Sequence, residues 1–165
     1  MAWPLMLAGC AAGFSETASD YRAKTGVLQS SGSFTVNRSV EAVRASLAQA
    51  SAKCLSGTST NSGTYRVSAY GAHNFSEKRA FTTEIAPSAQ GVTLTVYKKF
   101  LQTTGGGHLL MAKQPDRGFV YAVLDAAQDG GGTKLTYYVP SPSSGSLTAA
   151  FKAWAGGSGS DCPDI

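Results

Sequence analysis

Residues 119–139 read Phe119-Val120-Tyr121-Ala122-Val123-Leu124-Asp125-Ala126-Ala127-Gln128-Asp129-Gly130-Gly131-Gly132-Thr133-Lys134-Leu135-Thr136-Tyr137-Tyr138-Val139. Asp129 to Gly132 is the clearest turn in the chain, because glycine reaches positive φ without steric cost. The apolar segments on either side are β-branched and aromatic, so they read as two antiparallel strands folding back on that turn. A tight hairpin sets Leu124 opposite Tyr137 and Ala122 opposite Val139. Val120, Ala122, Leu124, Leu135, Tyr137 and Val139 then share one face, expected to be the buried one with Phe81, Ile85, Leu94 and Val96. Phe119, Tyr121, Tyr138 and Tyr97 are expected on the other.

Upstream, the same period of two recurs. Tyr65, Val67 and Ala69 alternate with polar neighbours, as do Phe81, Thr83 and Ile85. The segment Pro87-Ser88-Ala89-Gln90-Gly91 reads as a turn into the alternation Val92, Leu94, Val96. Residues 108–112 read as a further short strand, and Leu55–Gly63, all polar after Leu55, as a loop. Earlier still, Ser33–Val36 reads as a strand. Val40, Val43, Leu47, Ala50 and Cys54 then recur at steps of three or four, the apolar stripe of a helix. Ser39 is its expected N-cap, with Glu41 in the first turn complementing the helix dipole. After Pro140 and Pro142, Leu147, Ala150, Phe151 and Trp154 mark a final helix, with Ser143 or Ser144 as its cap. The expected class is α+β: a strand, a helix, a six-stranded antiparallel sheet and a helix.

That order resembles the helix-grip fold of START-like lipid-transfer domains and polyketide-cyclase-type proteins. The pieces carrying the resemblance are Phe34-Thr35-Val36-Asn37-Arg38-Ser39-Val40-Glu41-Ala42-Val43, and Gly132-Thr133-Lys134-Leu135-Thr136-Tyr137-Tyr138 before a terminal helix. The resemblance implies a small pocket between sheet and final helix, because that helix is short.

The N-terminal residues Leu7-Ala8-Gly9-Cys10 resemble the lipobox of bacterial lipoproteins. This resemblance implies cleavage before Cys10 and lipidation of its thiol. It also implies a cell-envelope address, at the outer membrane facing the periplasm given Ala11 rather than an acidic residue. Residues 1–9 are then the remnant of a signal peptide and residues 10–29 an anchor and flexible tether. A single domain follows over residues 30–165. Two acyl chains hold a membrane stably where one is marginal. With Cys10 assigned, Cys54 and Cys162 remain as an even pair in an oxidising compartment, and a disulfide is expected between them.

Composition closes other routes. The 14 Lys+Arg and 10 Asp+Glu give +4. Those charges are scattered, and the longest basic runs are Lys78-Arg79 and Lys98-Lys99, which is not the basic stripe of a nucleic-acid binder. No apolar run approaches the ~18–20 residues of a spanning helix. No Gly-x-Ser-x-Gly elbow or phosphate loop occurs, and Gly105-Gly106-Gly107 precedes a strand rather than a helix. His73 and His108 stand alone without metal-site spacing, His73 in a polar loop and His108 beside a turn. Asp125 interrupts an apolar strand and reads as a solvated strand end. Lys98-Lys99 either guards an edge strand against aggregation or meets anionic lipid or glycan. No cofactor is expected. The leading expectation is a non-catalytic envelope lipoprotein acting as a structural or protein-interaction module. Alternatives are a binder of an apolar small molecule or lipid, and a cyclase- or dehydratase-type enzyme.

Overall fold

The computed structural model describes residues 14–24, 28–67, 71–104, 114–141, 144–159 and 162–165. Among these residues nine elements follow one another: α1 (Ala18–Ala23), β1 (Gln29–Val36), α2 (Val40–Cys54), β2 (Gly57–Val67), β3 (Gly71–Ser88), β4 (Gly91–Thr103), β5 (Phe119–Asp129), β6 (Gly132–Pro140) and α3 (Ser144–Gly156). The strands form one curled antiparallel sheet in the order β1-β6-β5-β4-β3-β2. β2 to β6 are a meander, and α2 carries the chain from edge strand β1 to the opposite edge β2. α2 and α3 lie against one face, which makes the fold α+β.

The hairpin of β5 and β6 closes on a two-residue turn, with Asp129 opposite Gly132 and Leu124 opposite Tyr137 as the alternation predicts. Gly130 takes φ +56° there, which an L side chain resists. The β3–β4 turn is equally tight, with Ser88 opposite Gly91. Ser39 caps α2 by accepting from the Ala42 amide at 3.3 Å. From the α2 stripe, Val43, Leu47 and Ala50 are buried, and Val40 and Cys54 pack at its margins. α3 buries Leu147, Ala150, Phe151 and Trp154. Together with Leu94, Val96, Leu124, Leu135 and Val139 from the sheet they make one core. Each such buried side chain contributes roughly 1.5–3 kcal/mol relative to exposure. Arg38 fastens the two helices: its Nη1 donates to the Ala155 carbonyl at 2.8 Å and to Ser46 Oγ at 3.0 Å. A cation at the last turn of α3 also complements that helix's dipole.

Five expectations are corrected. Residues 57–63 are not a loop but the start of β2, and His73 lies not in a loop but in β3, opposite Tyr65. β2 is an edge strand whose residues 57–64 are mostly exposed, so its Ser, Thr and Asn residues satisfy the ladder with no apolar alternation to betray it. Lys98-Lys99 belongs to β4, an interior strand, and so guards no edge.

The third correction concerns faces. Val120 packs outside with Tyr21 and Val123, whereas Tyr121 joins the inner core. The pairing passes from Val96 opposite Ala122 to Tyr97 opposite Val120, leaving Tyr121 as the extra residue of a β-bulge. A bulge inverts the alternation of its strand from that point on. The fourth is Asp125, which is not a strand end: β5 runs on to Asp129.

The fifth is the tether. Ser15 bridges to Val120, and α1 lies on the outer face with Tyr21 buried. The Tyr21 hydroxyl donates to the Tyr121 carbonyl at 2.7 Å. Arg22 grips Asp125 through two hydrogen bonds of 2.7 and 2.6 Å. Residues 14–24 are therefore a clasp, not a free linker. The expected strand at 108–112 and the Ser143 cap lie outside the described residues, as does Cys10. Five strands follow α2 among the described residues, and β1 completes the six.

Candidate functional site

Along β4 the inward positions run Val92, Leu94, Val96 and then Lys98. The first three lie beneath the helices. Lys98 lies beyond their cover, in a cleft of about 490 Å³ on the concave face. β2 lines it with Thr60 and Asn61, β3 with Arg79, β5 with Tyr121 and the end of β6 with Pro140, while Asp164 and Ile165 close one side.

Two cations face this space. The Lys98 ammonium lies 4.7 Å from the centroid of Phe100 and 5.3 Å from that of Tyr121. Such contacts hold a cation by roughly 0.5–2 kcal/mol without neutralising it. Among the described residues Lys98 has neither a hydrogen-bond acceptor nor an ion pair. Burial pushes its pKa down, and neighbouring Arg79 adds to that, against an opposing pull from Glu77.

Arg79 is 11% exposed at its side chain, and its guanidinium carbon lies 5.9 Å from the Phe81 centroid. Its Nε is 3.4 Å from Glu77 Oε1, within ion-pair range. That Nε nevertheless makes no hydrogen bond, and the buried hydroxyls of Ser59 and Thr103 make none either. Buried polar groups are nearly always satisfied, and each orphan costs about 1–3 kcal/mol. A cleft that holds an ammonium with no anionic partner beside a singly paired guanidinium favours a guest that accepts hydrogen bonds. Nothing in the group is a nucleophile paired with a base.

The tail wall of the cleft depends on the two cysteines. Cys54 and Cys162 stand at disulfide distance, with Cα atoms 5.0 Å apart and sulfurs 2.04 Å apart. That juxtaposition turns the tail back past the end of α2 to the start of α3, where the Asp164 amide donates to Ser146 Oγ at 2.8 Å and Ile165 packs against the core. The sequence pairs these cysteines but does not reveal that the pairing builds a cleft wall.

The remaining candidates are placed elsewhere. Asp125 faces outward, held by Arg22 and by Thr93, whose hydroxyl donates to Oδ1 at 2.6 Å. Lys99 points away from Lys98 and donates to the Asp116 carbonyl at 2.8 Å. Tyr97 donates to Glu84 at 3.1 Å, and Glu84 also accepts from Arg117 at 2.7 Å. The side chain of His73, and all of His108, lie outside the described residues. Among the described residues no group of three His, Cys, Asp or Glu could hold a metal. No helix among them is long and apolar enough to cross a membrane.

Sequence reasoning missed Arg79, set Tyr121 on the opposite face, and named Lys98 only as half of the pair Lys98-Lys99. One signal was present: Lys98 continues the parity of Val92, Leu94 and Val96, a charge where the alternation calls for an apolar residue. Comparison with protein-family models, curated proteins and solved structures finds no match to this chain.

Proposed function

We propose that this protein is a non-catalytic cell-envelope lipoprotein, anchored through Cys10 to the outer membrane, whose domain serves as a structural or protein-interaction module. The observation that carries this reading is the filled interior. Trp154, Phe151, Leu47, Leu55, Leu94, Leu124, Leu135 and Leu147 are all under 2% exposed and occupy the space between helices and sheet. A small-molecule site needs about 300 Å³ or more with a mostly apolar lining. The cleft beside the core has that volume but a charged and polar lining, which suits contact with another macromolecule better than an apolar guest. The helix-grip arrangement belongs to the same proposal, supported by a curled meander wrapped around a C-terminal helix and a single helix crossing between the edge strands. The lipobox-like residues 7–10 support the anchor.

The test is fractionation of cells expressing the chain with a complete signal, together with native mass spectrometry of the Cys10→Ser form. We expect membrane partition that Cys10→Ser abolishes, and a native mass equal to the polypeptide alone. Membrane association that survives Cys10→Ser overturns the anchor, and a retained apolar ligand overturns the interaction reading.

A further inference from the structure

We propose that the concave-face cleft is a carboxylate-binding site that receives an acidic side chain from a partner protein. The proposal rests on the interaction-module reading and names the surface and the chemistry of its partner.

The argument begins with position. A sheet that curls around two helices must leave part of its concave face uncovered, and here the uncovered part carries Arg79 and Lys98. Nothing in folding requires cations there, since the same strands place Val92, Leu94, Val96 and Phe81 at the inward positions under cover. A half-buried ammonium held only by aromatic faces destabilises the fold, and so does a guanidinium with an unsatisfied Nε. An incoming carboxylate offsets the first cost by accepting from the Lys98 ammonium, and Arg79, which lines the same cleft, adds its charge and its terminal N–H donors.

Charge arithmetic selects the guest. Arg79 and Lys98 supply two positive charges, and Glu77, 3.4 Å from Arg79, cancels one of them. Asp164 at the mouth adds a further negative charge. These four charges balance, but among the described residues Lys98 is the one of the two cations with no carboxylate in ion-pair range, and that single unpaired charge fits a monoanionic carboxylate and opposes a phosphate dianion. Thr60 and Asn61 on the rim add donors for the peptide flanking that carboxylate. The occupant is therefore an aspartate or glutamate on an exposed segment of an envelope protein.

The test uses the full chain carrying Cys10→Ser, observed by NMR at the Lys98 side chain and at the amides of Arg79, Lys98 and Tyr121. The probes are the peptide acetyl-Gly-Glu-Gly-amide, its Gln counterpart and inorganic phosphate. We expect saturable shifts with the Glu peptide and binding at least about tenfold weaker for the Gln peptide, as befits loss of a charged hydrogen bond. Lys98→Met should weaken the Glu peptide by about tenfold or more. Lys98→Arg should restore most of the binding, and Lys99→Met should leave it unchanged. Because a carboxylate beside it stabilises the charged ammonium, the bound peptide should also raise the Lys98 pKa. Several results would overturn the proposal: no saturable binding by the folded protein, equal binding of Glu and Gln peptides, equal loss in Lys99→Met, or tighter binding of phosphate. Failure here with Cys10-dependent anchoring intact sinks the cleft assignment alone. Failure of fractionation leaves peptide binding to be judged on its own readout.

Discussion

The clasp formed by residues 14–24 makes a sharp quantitative prediction. Arg22→Met keeps an unbranched stem and removes the fork that meets Asp125 at 2.6 and 2.7 Å. What remains on Asp125 is one hydroxyl, Thr93 Oγ1 at 2.6 Å. Breaking a fully buried pair costs about 3–5 kcal/mol, while fully exposed pairs are worth about 0.2–1 kcal/mol. The two side chains are 31% and 29% exposed, so solvent screens part of the loss. The bidentate geometry argues for more than the exposed value. Balancing these, we expect a destabilisation of about 1–2 kcal/mol, a fall in Tm of roughly 2–8 °C for a domain of this size. Urea unfolding of the wild type, Arg22→Met, Asp125→Asn and the double variant gives the coupling directly, expected near 1 kcal/mol. Arg44→Met, at an exposed position on α2, serves as the surface control. A coupling below about 0.3 kcal/mol, or a loss no larger than that of Arg44→Met, would refute the idea that this ion pair fastens the N-terminal segment.

Two further predictions concern the ends of the chain. Cys54 and Cys162 are 108 residues apart in sequence, and the chain-entropy model assigns about 4.7 kcal/mol to closing a loop near that length. Cys162→Ser should therefore lower stability by up to about 4–5 kcal/mol, and unfolding curves that coincide with and without reductant would contradict that. Burial of Tyr21, reinforced by nearby Tyr121, holds its phenol well above the ordinary value. Its contribution to stability is fully present below pH ~10 and is lost as pH rises further, because only the unfolded chain ionises there, at up to ~1.4 kcal/mol per pH unit. Tyr97 is raised by burial and acts in the same sense, whereas Lys98, lowered by burial, acts oppositely and is spent by pH ~10.5. The difference in slope above pH 10 between wild type and Tyr21→Phe isolates Tyr21. Parallel slopes would show that its phenol is not held neutral by the fold.

The legible parts of the fold are those where one local rule acts alone. The α2 stripe, its Ser39 cap, the two tight turns and the α3 face follow from periodicity and turn chemistry, and the structure carries each of them. The illegible parts are those where pairing overrides pattern. Residues 57–64 became strand because an edge needs only backbone partners, and their side chains stay wet. Tyr121 turned inward because a bulge shifts parity, and nothing in Phe119-Val120-Tyr121-Ala122 marks which residue is the extra one. Gly118 gives a partial hint: at φ +82°, with the Lys98 carbonyl occupying the space a β-carbon would need, it tolerates no side chain. The clasp was hidden because six residues of helix have no period to read, and its strength lies in partners about 100 positions away. The cleft was hidden for a related reason, since its charges come from two strands and a tail that only the assembled sheet brings together.

The bulge at Tyr121 ties these hidden parts to one another. With ordinary alternation its ring would point toward α1, and the inward position beside Lys98 would belong to Val120. The shift gives Lys98 an aromatic face, an arrangement that tolerates an ammonium in a place where an aliphatic neighbour would only desolvate it. The carbonyl of the same residue accepts the Tyr21 hydroxyl on the opposite face of the sheet. Tyr121 therefore belongs to the clasp through its backbone and to the cleft through its side chain. Docking of the N-terminal segment and the geometry of the Lys98 pocket meet in one residue, at the one irregularity of β5, and neither can shift without moving that peptide. Irregularities of this kind persist where the surrounding structure holds them in place. Here the holding comes from several sides: Tyr21 on the outer face, the Ser15 backbone bridge to Val120 beside the strand, and the core with Lys98 on the inner face.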